Sequence, residues 1–293
     1  MEISLSELSE VKGRGKKTIE RIKEYKLANE GYISEYNESL HLDRNSVNKG
    51  NCLDLMNGIP DKSIDMILAD LPYGTTACKW DSVINLDKLW LQYERIIKDD
   101  GAIVLTASQP FTSKLVMSNP DWFKYEWVWN KKRPSNFQQM NYRPGKVHEN
   151  ICVFSKSNAV YVPNNDNMKY NPQMVKRDKP KKVSKSFYGS KNSTLRKNHS
   201  IKNQGAKTYN YRHPRSILDF SNANLKNKEH PTQKPINLFA YLIKTYTNEG
   251  DLVLDNVAGS GTTGVACKNT NRDYILIEKE QKYIDVIKER LGD

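Results

Sequence analysis

The chain has 293 residues and a formal charge of +12, a length that suits one large α/β domain with an inserted or appended module rather than two equal domains. The charge is concentrated: between Lys176 and Arg212 twelve Lys or Arg face one acid, Asp178, which leaves +11 in that stretch, and such a block attracts a polyanion, nucleic acid first, through release of condensed counterions. Four cysteines without a C-x-x-C pair speak against a zinc site or a disulfide framework and for a reducing cytoplasm, and no apolar run approaches the ~20 residues that a membrane span needs.

Residues 1–45 contain LSELSEVKGRGKKTIERIKEYKLANEG, in which Leu5, Leu8, Val11, Ile19 and Ile22 fall on helical spacings around a Gly13-Arg14-Gly15 turn. Two readings are open here. One is a helix-hairpin-helix whose turn, with Lys16, offers backbone N–H groups and charge to a DNA phosphate; the other is an ordinary helical pair used for packing. From 46 to 157, short apolar runs such as SIDMILAD, GAIVLTAS, YEWVWN and NICVFSK alternate with helical patterns such as LDKLWLQYERIIK. That rhythm predicts a parallel twisted sheet covered on both faces. Residues 158–227 lose the rhythm, become rich in Lys, Asn, Ser and Tyr, and read as an inserted module. Residues 228–293 restore it: a helix entered through Pro235, then strand, glycine-rich loop, helix, strand and helix.

Gly259, Gly261 and Gly264 form G-x-G-x-x-G directly after the strand DLVLDNVA and before a helix, and Glu278 closes the next strand nineteen residues after Gly259. This is the context of a Rossmann-type nucleotide site, in which the acid accepts the hydroxyls of a ribose. The motif admits NAD as readily as S-adenosylmethionine. It is not a Walker A loop, because no Lys follows its last glycine. Its position near the C-terminus suggests a permuted order, with another motif earlier in the chain sharing the site.

The earlier motif is DLPY. Asp70 and Tyr73 stand where an apolar run meets the surface, and ligands of open α/β sheets bind beyond the carboxyl ends of strands. An Asp accepts from an exocyclic amine, a Tyr ring stacks on the same heterocycle, and Pro72 stiffens the turn while favouring an extended Leu71. The four residues read as a clamp for an amino-bearing base, against the plainer reading of a strand end capped by a turn.

Taken together these motifs resemble the amino-methylating DNA methyltransferases. DLPY is similar to their D-P-P-Y motif, DNVAGSGTTG to their cofactor loop and HPTQKP to the segment before it. The order of motifs is that of the β group, and DLPYGTTACKWDSVI and SQPFTSKLVMSN resemble phage and prophage members. The likeness runs from about Asn48 to the C-terminus, outside most of the lysine-rich insert. It implies a Rossmann-like, S-adenosylmethionine-dependent methyltransferase fold with circularly permuted motif order and an inserted target-recognition region.

The resemblance further implies methyl transfer to a base flipped out of duplex DNA. Adenine N6 is expected because Asp, rather than Ser, opens the motif; cytosine N4, or a DNA-binding relative without catalysis, are the alternatives. Asp70, the Leu71 carbonyl, Pro72 and Tyr73 would form the catalytic clamp. The cofactor would meet Asn51, Cys52, Asp70, Asp255, Val257 and the backbone of Gly259, Ser260 and Gly261. The hydroxyls of Thr262 and Thr263 would take its methionine part, Glu278 its ribose, and Thr232 and Lys234 its carboxylate. DNA would lie against Gly13, Arg14, Gly15 and Lys16, and against Lys181, Lys182, Lys185, Arg196, Lys197 and Arg212. Val257 stands where the family commonly has Phe, and Asn51 where it often has Asp, so weaker cofactor affinity is expected. No metal is implied. The resemblance carries a homodimer and a cognate restriction endonuclease as partners, in the cytoplasm of a bacterial, archaeal or phage-infected cell. A nicotinamide-dependent oxidoreductase would leave DLPY, HPTQKP and the cationic insert unexplained, whereas phosphate attraction alone does not separate DNA from RNA.

Overall fold

The computed structural model describes residues 37–74, 82–160, 166–183, 207–221 and 233–292. The helical hairpin expected near the N-terminus, with Gly13, Arg14, Gly15 and Lys16, lies outside them, as do Lys185, Arg196, Lys197 and Thr232. The chain forms two compact units, Met1–Asn171 with Ser216–Asp293, and Pro172–Arg215.

In the first unit an eight-stranded sheet is built from β1 (Ser46–Lys49), β2 (Ile64–Ala69), β3 (Ile97–Ala107), β4 (Phe123–Asn130), β5 (His148–Phe154), β8 (Ile217–Asp219), β9 (Leu252–Asp255) and β10 (Asp273–Glu278). Their order is β1-β10-β9-β2-β3-β5-β4-β8. All six residues of β2 are buried, as a central strand covered on both sides requires. Alternate residues feed two cores: Ile67, Ala69, Ile103, Leu105 and Leu254 on one face, and Met66, Leu68, Val104 and Val253 on the other.

The first face is covered by α1 (Cys52–Leu55), α2 (Leu86–Ile96) and α3 (Phe111–Ser118). Helix α2 buries Leu86, Leu89, Trp90, Tyr93 and Ile96, the i, i+3, i+4, i+7 stripe that LDKLWLQYERI prescribes. Its first turn is capped by Asn85, whose side chain accepts from Lys88 N at 3.0 Å. The second face is covered by α4 (Ile236–Tyr246), α5 (Thr262–Lys268) and α6 (Gln281–Leu291).

From β9 the chain leaves through α5 toward β10, and from the adjacent β2 it leaves through α2 toward β3, in opposite directions along the sheet. The carboxyl ends of β2 and β9 therefore flank a topological switch point, the usual ligand crevice of such sheets. Asp70 follows β2, and the glycine loop follows β9.

Three expectations are corrected. The sheet is mixed: β5 runs antiparallel to both β3 and β4. No α-helix joins β4 to β5, and without a crossover the returning strand has to reverse direction. The main unit begins before residue 46, because Leu42 is buried in the core and Arg44 pairs with Asp273 at 2.8 Å. The insert is narrower than 158–227: Met168 is buried, Lys169 pairs with Asp251 at 2.6 Å, and β8 extends the sheet beside β4. Within the second unit, β6 (Val175–Val183) and β7 (Lys207–Arg212) form an antiparallel pair. Sequence patterning misses it because neither face is buried, so no apolar alternation marks the strands.

Among the described residues no helix is long and apolar enough to cross a membrane, and no group of three or more His, Cys, Asp or Glu is placed to hold a metal ion.

Candidate active site

Asp70 leaves the end of β2 with its carboxylate between two sets of donors. Oδ1 accepts from Tyr73 Oη at 2.8 Å and, in a short contact, from Thr106 Oγ1 of β3. Oδ2 faces the Lys234 ammonium at 2.5 Å. Lys234, immediately before the Pro235 that opens α4, is 7 % exposed, and its Nζ also lies 3.5 Å from Glu149 Oε2 on β5. Glu149 Oε1 in turn pairs with Lys131 Nζ, buried at the end of β4, at 3.0 Å. Burial pushes the Glu149 carboxyl up, but Lys234 and Lys131 outweigh it and hold it below its ordinary value.

Leu71 is 2 % exposed and packs into the core beneath the first set of helices, so an apolar side chain takes the place of the expected first proline of the motif. The Tyr73 ring stacks on Phe111 of α3, centroids 5.3 Å apart and planes at 25°. Burial and the neighbouring Asp70 push its phenol well above the usual value, so the hydroxyl stays a neutral donor to the carboxylate.

Across the switch point the loop after β9 makes a backbone cradle. Gly259 and Gly261 have φ of 52° and 74°, left-handed values that glycine tolerates best. A Cβ at Gly261 would also stand 2.9 Å from Ile287 Cγ1. Asn256, next to the loop, is 1 % exposed; its Oδ1 accepts from Tyr93 Oη at 2.6 Å while its Nδ2 is buried with no hydrogen-bond partner. An orphaned donor beside an open backbone turn fits a polar ligand at this point. Glu278 ends β10 and ties the loop down: Oε2 accepts from Gly259 N at 2.8 Å, and Oε1 from Lys279 N and Glu280 N at 2.8 and 2.9 Å. Oε2 keeps one acceptor site for a hydroxyl. Gly50 N, after β1, bonds Glu278 O at 3.0 Å, which brings Asn51 and Cys52 to the same edge.

Several residues read from sequence as ligand contacts are turned inward. Thr263 donates to Asp255 Oδ2 in a short bond, and Asp255 Oδ1 accepts from Val257 N at 3.1 Å. Thr262 Oγ1 lies 3.4 Å from the Lys234 carbonyl. These groups shape the loop, since a buried carboxylate must find donors. Asn51 caps α1 by accepting from Leu53 N at 3.0 Å, and burial pushes the Cys52 thiol up. Val257 is half-buried against the core, and Ser260 is buried with its carbonyl on Arg290. Lys234 meets Asp70. In the second unit Lys181 and Lys182 on β6 are exposed, while Arg212 on β7 pairs in register with Val175. Sequence reasoning missed Glu149, Lys131, Thr106, Phe111 and Asn256.

Burial pushes the Asp255 carboxyl from 3.8 to about 7. The folded chain then keeps a proton that the unfolded chain has lost, so this group lowers stability as pH rises from about 4 through 7. Asp255→Asn keeps an acceptor for Val257 N and carries no charge. Its melting temperature relative to the parent is expected to be higher near pH 8 than near pH 5, and an equal difference at both would remove Asp255 as the source.

Known proteins resemble this chain in sequence and in fold. The chain is 29 % identical to the type II methyltransferase M.HinfI of Haemophilus influenzae, over 85 % of this chain and 68 % of that one. It is 28 % identical to M.HpaI of Haemophilus parainfluenzae, over 82 % and 72 %. In fold it is similar to the PvuII DNA methyltransferase, described as cytosine-N4-specific, with a TM-score of 0.59, 16 % identity and coverage of 86 % and 88 %. It is also similar to an M1.HpyAVI–S-adenosylmethionine complex, with a TM-score of 0.53, 22 % identity and coverage of 85 % and 99 %. The model of the N6/N4 DNA methylases matches residues 64–289, a span that takes in both DLPY and the glycine loop, and the chain belongs to that family of S-adenosylmethionine-dependent DNA methyltransferases.

Proposed function

We propose that the chain methylates N6 of an adenine flipped out of duplex DNA. The observation that supports this reading is the Asp70 carboxylate at the switch point. An ionised carboxylate offers about four acceptor sites, and Tyr73, Thr106 and Lys234 use three of them. The remaining one suits an N–H of an exocyclic amine, and the Leu71 carbonyl is assigned the second N–H. An amine conjugated with its ring is a poor nucleophile, and two such acceptors bias its nitrogen toward tetrahedral geometry. Much of the rate gain then comes from positioning, which is worth up to ~7–11 kcal/mol in favourable cases. The base reaches this depth only by leaving the stack, at a cost of a few kcal/mol. Tyr73, backed by Phe111, supplies the stacking surface.

S-adenosylmethionine, when bound, supplies an electrophilic methyl group. The backbone of Gly259 to Gly261, the Asn256 amide and the Glu278 carboxylate are the groups assigned to hold it, with Asn51 and Cys52 at its edge. Asp70 opening the motif favours adenine over cytosine through the family resemblance. The basic strand pair, with Lys181, Lys182 and Arg212, is assigned to the phosphate backbone, and a homodimer and a cognate endonuclease are the partners expected with it.

The test incubates the purified chain with duplex DNA of mixed sequence and methyl-labelled S-adenosylmethionine, then identifies the labelled nucleoside by mass spectrometry. N6-methyladenine is expected. Label in N4-methylcytosine would overturn the base assignment while keeping the clamp, and transfer to RNA alone would overturn the substrate.

A further inference from the structure

The loop between β4 and β5, KKRPSNFQQMNYRPGKV, residues 131–147, holds five cations and no acid. It is tightly built. Its base is closed by Lys131 N donating to Val147 O at 2.7 Å and Ser135 N to Lys146 O at 3.1 Å. Asn136 ties its two limbs together, donating to Pro144 O at 3.1 Å and accepting from Lys146 N at 2.6 Å. At the far end Phe137–Gln139 makes a 3-10 turn, and the N–H groups of Tyr142 and Arg143 both donate to Gln139 O at 3.0 Å. Pro134, Met140 and Gly145 pack so closely that a Cβ on Gly145 would lie 3.0 Å from Pro134 Cβ. This self-packed surface loop is of the kind that frequently serves function.

The apolar side chains of this ordered tip nevertheless point to solvent. Phe137 is 66 % exposed, Tyr142 90 % and Met140 47 %. Aromatic surface held outward on a fixed frame marks a contact site, and the cations around it select a polyanion. The loop's base stands beside the clamp: Lys131 pairs with Glu149, Glu149 with Lys234, and Lys234 with Asp70. Lys146 Nζ bonds Ser108 Oγ, three residues before the Phe111 that backs Tyr73.

We infer that this loop is a wedge that enters the duplex at the target base pair. Phe137 and Tyr142 fill the space the flipped base leaves and stack on the bases that flanked it, while Lys132, Arg133 and Arg143 hold the neighbouring phosphates. Apolar side chains inserted between base steps are a known means of holding DNA in an unstacked form. The inference rests on the reading of the site as one that modifies duplex DNA.

The test first maps the methylated site by sequencing DNA modified by the parent chain. Transfer is then measured on a duplex carrying that site and on one with a mismatched base opposite the target, for the parent and for Phe137→Ala/Tyr142→Ala. Both side chains are exposed, so the melting temperature should not move. The variant is expected to lose about tenfold or more on the matched duplex and to recover most of that loss on the mismatched one, where unpairing costs less. No loss, or equal loss on both duplexes, overturns the wedge. Equal loss together with a fall from dimer to monomer in sedimentation assigns the aromatic tip to a second copy of the chain. Failure of the parent to methylate any DNA removes the function reading and the wedge with it, a result distinct from failure of the variant test alone.

Discussion

Replacing Asp70 by alanine is expected to lower methyl transfer by about 10²–10³-fold, the scale on which one preorganised polar group acts at a reacting centre, while cofactor affinity stays near that of the parent chain. The split follows from the topology. The groups assigned to the cofactor stand on the loop after β9 and at the end of β10, whereas Asp70 stands at the end of β2. Tyr73 and Thr106 hold one oxygen of its carboxylate and Lys234 the other, so the group is oriented before substrate arrives. In the variant Lys234 keeps Glu149 as a partner, and the fold should persist. Asp70→Asn preserves shape but replaces one acceptor oxygen by an NH2 group and removes the charge that Lys234 pairs with, so it too should be strongly impaired. Labelled-nucleoside assays measure the transfer, and calorimetric titration measures the cofactor. Near-normal turnover in Asp70→Ala would remove the carboxylate from the mechanism, and a matching loss of cofactor affinity would reassign it to the cofactor side.

The parts of this site that could be read from sequence are those written by short-range pattern. MILAD, residues 66–70, is a continuous apolar run ending on an acid, and β2 ends one residue before Asp70. The glycines follow a strand directly, and two of them take the left-handed backbone that such a turn needs. Glu149 and Lys131 are different. They stand near paired ends of β4 and β5, where Trp129 faces Glu149 in register, and only the sheet order brings that pair within reach of Asp70, 79 positions away in the chain. The available signal was weak: a charged residue at one end of each of two apolar strands, Lys131 just after β4 and Glu149 at the start of β5. Asp255 and Thr263 show the opposite limit. Residue type and spacing there matched a ligand-binding motif, yet an acid buried at a strand end takes its own hydroxyl and N–H donors. The direction of β5 was lost for a related reason, because an apolar run looks the same in a parallel and an antiparallel setting.

The second large effect is expected at Lys234. Its ammonium is buried between Asp70 and Glu149, and Lys234→Met would leave two carboxylates facing each other with Lys131 as the remaining nearby cation of the chain of charges. Breaking a buried pair from one side costs about 3–5 kcal/mol, and the lower end applies here because both acidic side chains are partly exposed, Asp70 by 23 % and Glu149 by 16 %. The pH dependence separates charge from packing. Glu149 is held below its ordinary value in the folded chain, so its contribution is present at neutral pH and is lost as pH falls through that lowered value. Without Lys234, the stronger of the two cations that hold it down, Glu149 takes up a proton at higher pH, and that proton relieves its repulsion with Asp70. The deficit of the variant in urea unfolding should therefore be large near pH 7.5 and shrink near pH 4.5, and Glu149→Gln added to Lys234→Met should restore part of the stability at neutral pH. A deficit that is the same at both pH values and unmoved by Glu149→Gln would mean that Lys234 acts through its packed methylene stem, and the charge chain linking the loop base to Asp70 would then be no more than a consequence of packing.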